Sequence, residues 1–199
     1  MSIKYIKTVR YNMNKFNNQK ILRSYTIAGI IFVSITGTLA HFMYDWTGKN
    51  PVVGLFTAVN ESTWEHMKLI YFPMLLFFIY VWIKLRKRAP ETLPALLIAT
   101  LIGTFIIPVL FYTYTGILGF MVTAINLAIY YISVLTAFIL FYLMSVKAKL
   151  EEVNIILYFT FALFICMFFL FTYDPPKLGI FIDPTTVNET VIHAHPANW

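Results

Sequence analysis

The chain has 199 residues, of which 59% are apolar, 18% aromatic and only 12% charged, with a formal net charge of +6 and a mean hydropathy of +0.73. Soluble domains carry about 25% charged residues, so this composition excludes one and calls for an integral membrane protein. The single cysteine, Cys166 within an apolar run, excludes an intramolecular disulfide and a cysteine-based zinc site.

Residues 1–23 carry Lys4, Lys7, Arg10, Lys15, Lys20 and Arg23 and no acid, while Ile6, Val9, Met13 and Phe16 recur at helical spacing. This pattern suits a basic amphipathic helix lying on anionic lipid head groups, and equally a basic tail that only sets orientation. No short apolar core with a cleavage site follows, so a signal peptide is not expected.

Five apolar segments are predicted to span, at about Tyr25–Tyr44, Trp64–Ile83, Leu93–Tyr112, Ile117–Met144 and Val153–Tyr173. Each lies near the roughly 20 residues that about 30 Å of hydrocarbon requires. The expected fold is therefore all-α, a polytopic membrane helix bundle over residues 24–173, preceded by the basic segment 1–23 and followed by an extracytoplasmic tail, 174–199. Twelve of the fifteen basic residues fall on the side of the N-terminus, including Lys84, Arg86, Lys87, Arg88, Lys147 and Lys149; Lys49, Lys68 and Lys177 fall opposite. Positive loops stay inside, which predicts a cytoplasmic N-terminus and an outside C-terminus. All four histidines then lie toward the outer side, as do Asp45, Glu61, Glu65, Asp174, Asp183 and Glu189.

The first span carries Ser34, Thr38, His41 and Asp45 on one helical stripe. One turn apart, Asp45 can accept the imidazole N–H of His41, as a carboxylate does behind a metal-bound histidine; an interfacial pair capping the span is the plainer reading. The following stretch, Trp46 to Val59, is too apolar for a solvated loop and too short to span. With Gly48, Pro51 and Gly54 it suits a lid over an outward cavity or a tight crossover.

Val59-Asn60-Glu61-Ser62-Thr63-Trp64-Glu65-His66-Met67-Lys68 then places four ionisable groups at the mouth of the second span. Asn60 or Ser62 suits an N-cap, Ser62-x-x-Glu65 is a capping-box pattern, and Glu65 can pair with Lys68 at i,i+3. Capping leaves His66 unexplained, and ionisable groups at the hydrocarbon edge need partners. Pro73 predicts a bend that frees the Leu69 carbonyl. Thr100, Gly103, Thr104 and Pro108 form a small-residue face on the third span. Gly119, Thr123, Asn126, Tyr130 and Ser133 form a polar stripe on the fourth, in which Asn126 needs a hydrogen-bonding neighbour. The fifth span, rich in Phe and Leu, is expected to be the most lipid-exposed. Beyond it, Asp174 to Pro184 should rest on the membrane surface or the bundle mouth, and His193-x-His195 supplies half a metal site.

His41-x-x-x-Asp45-Trp46, Asn50-Pro51-Val52-Val53-Gly54-Leu55-Phe56, Val59-Asn60-Glu61-Ser62-x-Trp64-Glu65-His66-x-Lys68 and Phe72-Pro73-Met74 together resemble an uncharacterised family of small bacterial integral membrane proteins. The Phe181-Ile182-Asp183-Pro184 segment is similar too, and the segment after Pro184 lies outside the likeness. The resemblance implies a bacterial cell membrane and supplies no activity. Membrane metallohydrolases of the ceramidase and progestin-receptor type share the ingredients, but have seven spans and a distal histidine pair on a helix.

The candidate ligand-binding residues are Glu61, Glu65, His66, His41, Asp45 and Asn126, with Glu65, His66 and His41 as candidate ligands of a divalent metal, Zn or Mn. Two functional classes stand beside each other. One is a binding or transport-like protein whose outward site takes a cation, proton or polar head group. The other is a metal-dependent membrane hydrolase; a structural accessory subunit without a ligand is a third reading. No nucleic-acid motif is present, so the implied partners are membrane lipid, anionic head groups at the N-terminal segment, and another membrane protein.

Overall fold

The computed structural model describes residues 3–87, 89, 92–147 and 155–186, with side chains from Gln19 onward. The amphipathic face of the N-terminal segment and the His193/His195 pair therefore lie outside the described side chains. Six helices follow in chain order: α1 (Ile3–Trp46), the single turn α2 (Pro51–Gly54), α3 (Thr63–Leu85), α4 (Thr92–Leu118), α5 (Thr123–Lys147) and α6 (Ile155–Tyr173), then a 3₁₀ turn at Gly179–Phe181. No strand occurs among the described residues. Among the described residues, five helices are long and apolar enough to cross a membrane, beginning with Gln19–Trp46 of α1.

α1 runs as one helix from the basic segment into the first span. The fourth span starts later than expected. Gly119, with φ +78°, ends α4 and donates its N–H to the Thr115 carbonyl, the left-handed stop that glycine allows without strain. Ile117 thus belongs to α4, and Gly119 lies in the turn rather than on the α5 stripe.

α3 is the hub. It packs against α1 on one side and α4 on another, while α5 fills in behind α1 and α4. One core joins α1, α3, α4 and α5 around Val33, Ile70, Leu96, Val134 and Phe138. A second, mainly aromatic, core joins α3 to α6 through Trp64, Tyr71, Phe72, Phe161 and Phe168. The Tyr71 hydroxyl donates across this second interface to the Phe161 carbonyl at 2.8 Å. α6 is the least buried span, as its uniformly apolar sequence predicts, and Cys166 is exposed on it.

Close approach depends on small residues, because apolar helices in lipid associate by packing rather than by expelling water. A Cβ at Gly37 of α1 would lie 2.0 Å from the Tyr130 hydroxyl and 2.3 Å from the Leu69 carbonyl oxygen. That carbonyl is the one Pro73 cannot satisfy, since proline has no N–H. Gly29 meets Phe138 and Phe77 in the same way, and Gly103 of α4 meets Ala137 of α5. Thr100, Gly103, Thr104 and Pro108 are all buried, forming the expected small-residue face.

Gly37→Ala should lower the melting temperature in detergent, because overpacking against a backbone carbonyl costs typically about 1–3 kcal/mol. Gly116→Ala, where nothing lies within 4 Å, should hold or raise it through helix propensity. Differential scanning fluorimetry of the two variants side by side checks the assignment; equal shifts would contradict it.

Candidate functional site

The first turn of α3 presents two different chemistries on two faces, because successive helical residues differ in direction by about 100°. Ser62 is the N-cap, and its hydroxyl accepts the Glu65 N–H at 3.3 Å. The reciprocal half of the capping box does not form. Asn60 takes the Ser62 N–H at 2.9 Å instead, and Glu65 turns inward.

There Glu65 accepts the Val59 N–H at 3.0 Å and pairs with the Lys68 ammonium at 2.5 Å. Lys68 also donates to the Gly54 carbonyl at 2.8 Å and to the Thr172 hydroxyl at 3.0 Å. Every ammonium proton has an acceptor. With Lys68 0% and Glu65 2% exposed, the pair is as deep as any apolar residue of the core. It tacks the 47–60 crossover and α6 onto α3. Tyr173 strengthens the same junction by donating to the Pro51 carbonyl at 2.5 Å, and Asn50 caps α2 by accepting the Val52 N–H at 2.9 Å. Phe56 packs on Phe72 and Phe169. The crossover is thus a folded structural element over Lys68.

His66 faces the other way, toward α1 and α5. Its Nδ1 lies 2.9 Å from the Ser62 carbonyl; a carbonyl only accepts, so Nδ1 carries a proton, and Nε2 is a lone pair in the neutral ring and a second N–H donor in the imidazolium. Nε2 faces Glu61 Oε2 at 3.4 Å, and His41 Nε2 of α1 faces Glu61 Oε1 at 3.6 Å. One ligand atom from each of His41, Glu61 and His66 lies within 4.8 Å of the others. The sequence expectation joins Glu65 to the two histidines; in the structure Glu61 stands with them, and Glu65 belongs to the Lys68 pair. Asp45 is exposed and does not bond His41, whose Nδ1 is buried without a partner.

Glu61 precedes the helix, so its position depends on its backbone. Asp183 Oδ2 accepts the Glu61 N–H at 3.1 Å, while Oδ1 accepts the Thr185 N–H at 2.8 Å and its hydroxyl at 2.6 Å. Burial pushes the Asp183 carboxyl upward, but the hydrogen bonds from Thr185 and from the Glu61 backbone outweigh it and hold the group below the usual carboxylate range. The C-terminal segment is anchored further by Phe181, whose ring packs tilted on Trp64 with centroids 4.9 Å apart. Sequence reasoning noticed Phe181-Ile182-Asp183-Pro184 but not its role. Asp before Pro is a helix-start signal, and only the fold brings it to Glu61.

A cavity of about 330 Å³ opens beside the cluster, lined by Gly37, Thr38, His41 and Phe42 of α1, Glu61, His66 and Leu69 at α3, Met121, Thr123, Asn126, Leu127 and Tyr130 at α5, and Thr185. A second space of about 30 Å³, the size of one water, shares Glu61, His66, Asn126 and Tyr130 with it. Asn126 accepts a short hydrogen bond from Tyr114 of α4, which leaves its N–H₂ for the cavity. Its partner is the adjacent α4 rather than the first or second span. Tyr130 donates to the Val33 carbonyl at 2.7 Å and Thr38 bonds the Tyr131 hydroxyl at 3.2 Å, each joining a stripe residue to a neighbour off the other stripe; the stripes share the cavity, which Thr38, His41, Thr123, Asn126 and Tyr130 all line.

Five apolar helices among the described residues, packed side by side with an acid–histidine cluster at one end, are the architecture of a helical multi-pass membrane protein. The chain belongs to a family of unknown function (DUF6512), matched over residues 13–190. No curated protein and no solved structure matches it.

Lys68→Met alone should destabilise by about 3–5 kcal/mol, because it strands a buried carboxylate. Lys68→Met combined with Glu65→Leu should recover a large part of that loss. Thermal unfolding of both variants in one detergent measures the difference; additive losses would show that the two groups do not act as a pair.

Proposed function

We propose that this is a multi-pass protein of a bacterial cytoplasmic membrane that binds a divalent cation at its outer face through His41, Glu61 and His66. One observation carries the reading. His66 Nε2 faces a carboxylate oxygen at 3.4 Å, an approach that calls for a proton or a metal cation between the two, and a second imidazole faces the same carboxylate, so three donors converge as metal ligands do. Two imidazoles and one carboxylate are a zinc donor set, and Mn is the weaker alternative by the usual affinity order. The Ser62 carbonyl behind His66 fixes the tautomer a ligand needs. Behind His41, Asp45 stands one turn away and can rotate onto the unpartnered Nδ1 once the metal draws electron density from the ring.

A proton shared between Glu61 and the imidazoles is the second reading that the same confrontation supports. Hydrolysis is favoured by one further feature, since three ligands beside a cavity leave a coordination position open for water. A purely structural polar mouth expects a filled bundle end, which the cavity argues against.

Calorimetry of detergent-solubilised protein with Zn and Mn should detect one site per chain. His41→Ala and Glu61→Gln should each weaken it by at least about tenfold, and Asp45→Asn by about tenfold as a supporting group. Affinity should fall with pH through the ordinary imidazole range, because protonated imidazole is no ligand. Absence of binding by the wild type would leave the proton reading in its place.

The split of basic residues supports a cytoplasmic N-terminus, with residues 1–23 near anionic head groups and the site outside. Cysteines at Lys87 and Thr186 in a Cys166-free protein should react with an impermeant maleimide from the inside and the outside respectively. Reaction of both from one side would reverse the assignment.

A further inference from the structure

We infer that the open position of this site is filled by an oxygen of an oxyanionic amphiphile from the adjoining leaflet, with its head group in the cavity and its chain leaving between α1 and α5. The inference rests on the metal reading above and adds the occupant to it.

Charge comes first. A divalent ion held by one carboxylate and two neutral imidazoles retains positive charge and attracts an anion. Asn126 adds donors, since Tyr114 occupies its carbonyl oxygen and leaves the N–H₂ to the cavity.

Shape and lining decide the kind of anion. About 330 Å³ falls in the range of small-ligand sites, roughly 300–1,000 Å³, and is far more than a metal-bound water needs. The lining is mixed, with His41, Glu61, His66 and Asn126 beside the apolar Phe42, Met121 and Leu127, and the Phe42 ring packs against His41 itself. Phe42 and Leu127 are 47% and 53% exposed, on helices whose exposed faces are apolar along the bundle. α1 and α5 touch at Gly37 and Tyr130, and the cavity fills the space between them on the side toward His41. Its rim is therefore presented to acyl chains. A free oxyanion gains nothing from that rim, whereas an amphiphile buries its first methylenes there.

Cobalt(II) is the probe, because it takes zinc donor sets and its visible absorption reports both binding and coordination. Cobalt-loaded protein in maltoside detergent is titrated with oleoyl lysophosphatidate, inorganic phosphate and monooleoylglycerol. The lysophosphatidate should change the cobalt spectrum saturably, at concentrations at least about tenfold below inorganic phosphate, and the neutral lipid should not change it. Leu127→Trp, at an exposed position that narrows the rim, should abolish the lipid response while the cobalt spectrum persists; Asn126→Leu should weaken it. A cobalt spectrum indifferent to lysophosphatidate overturns the amphiphile and leaves the metal site standing. Equal potency of phosphate and lysophosphatidate overturns the lipid source in favour of a soluble oxyanion. Absence of a cobalt spectrum removes the metal reading and this inference with it.

Discussion

The structure depends on a single buried ion pair. Glu65 and Lys68 lie in the first two turns of a membrane-spanning helix, where stripping water from two charges costs several kcal/mol per ion unless each finds several partners. Here they do. The carboxylate takes a backbone N–H from Val59 as well as the ammonium, and the ammonium reaches the Gly54 carbonyl and the Thr172 hydroxyl. Those partners come from three separate parts of the chain. The pair can be satisfied only when the crossover, α3 and α6 are assembled together, which makes it a determinant of register.

That assembly frees the neighbouring face of α3 for different chemistry. Because Glu65 is turned toward the crossover, His66, the next residue, is turned toward α1 and α5. Glu61, outside the helix and held through its backbone by Asp183, reaches the same side. Two acidic residues four apart in sequence therefore serve opposite faces, one neutralised by a lysine and one confronting two histidines. The first is 2% exposed and closed to solvent, whereas the second lines a cavity. A group that is already paired has little affinity left for a ligand, which is why the candidate chemistry gathers at Glu61.

Backbone geometry supports the same arrangement. Pro73 releases the Leu69 carbonyl, and Gly37 is small enough for α1 to approach it. This contact and the Tyr130 hydroxyl on the Val33 carbonyl fix α1 against α3 and α5 one and two turns from His41. The histidine of α1 is brought to the carboxylate by packing in the apolar part of the bundle, and needs no strong interaction of its own.

Composition and apolar run length alone determined the class, the span count and the ends of α3 and α6 to within a turn, because a bilayer admits few solutions to backbone hydrogen bonding. They did not show that α1 continues back through the basic segment to Ile3, nor where α4 gives way to α5, since an unbroken apolar run hid a glycine stop at Gly119. Local spacing also revealed the Ser62 cap and the Glu65–Lys68 pair, both of which lie within one turn of helix. What the sequence could not decide was which acid joins His41 and His66. Glu61 and Glu65 are equivalent by type and near-equivalent by position, and the choice rests on where Lys68, Asn60 and Asp183 point. Asp183 is 122 residues from Glu61 along the chain, and no periodicity links them. Asn126 likewise announced its need for a partner, but Tyr114 became that partner only when the α4–α5 turn folded. Helices are written in neighbouring residues, whereas the site is assembled from four segments that meet only after the helices pack.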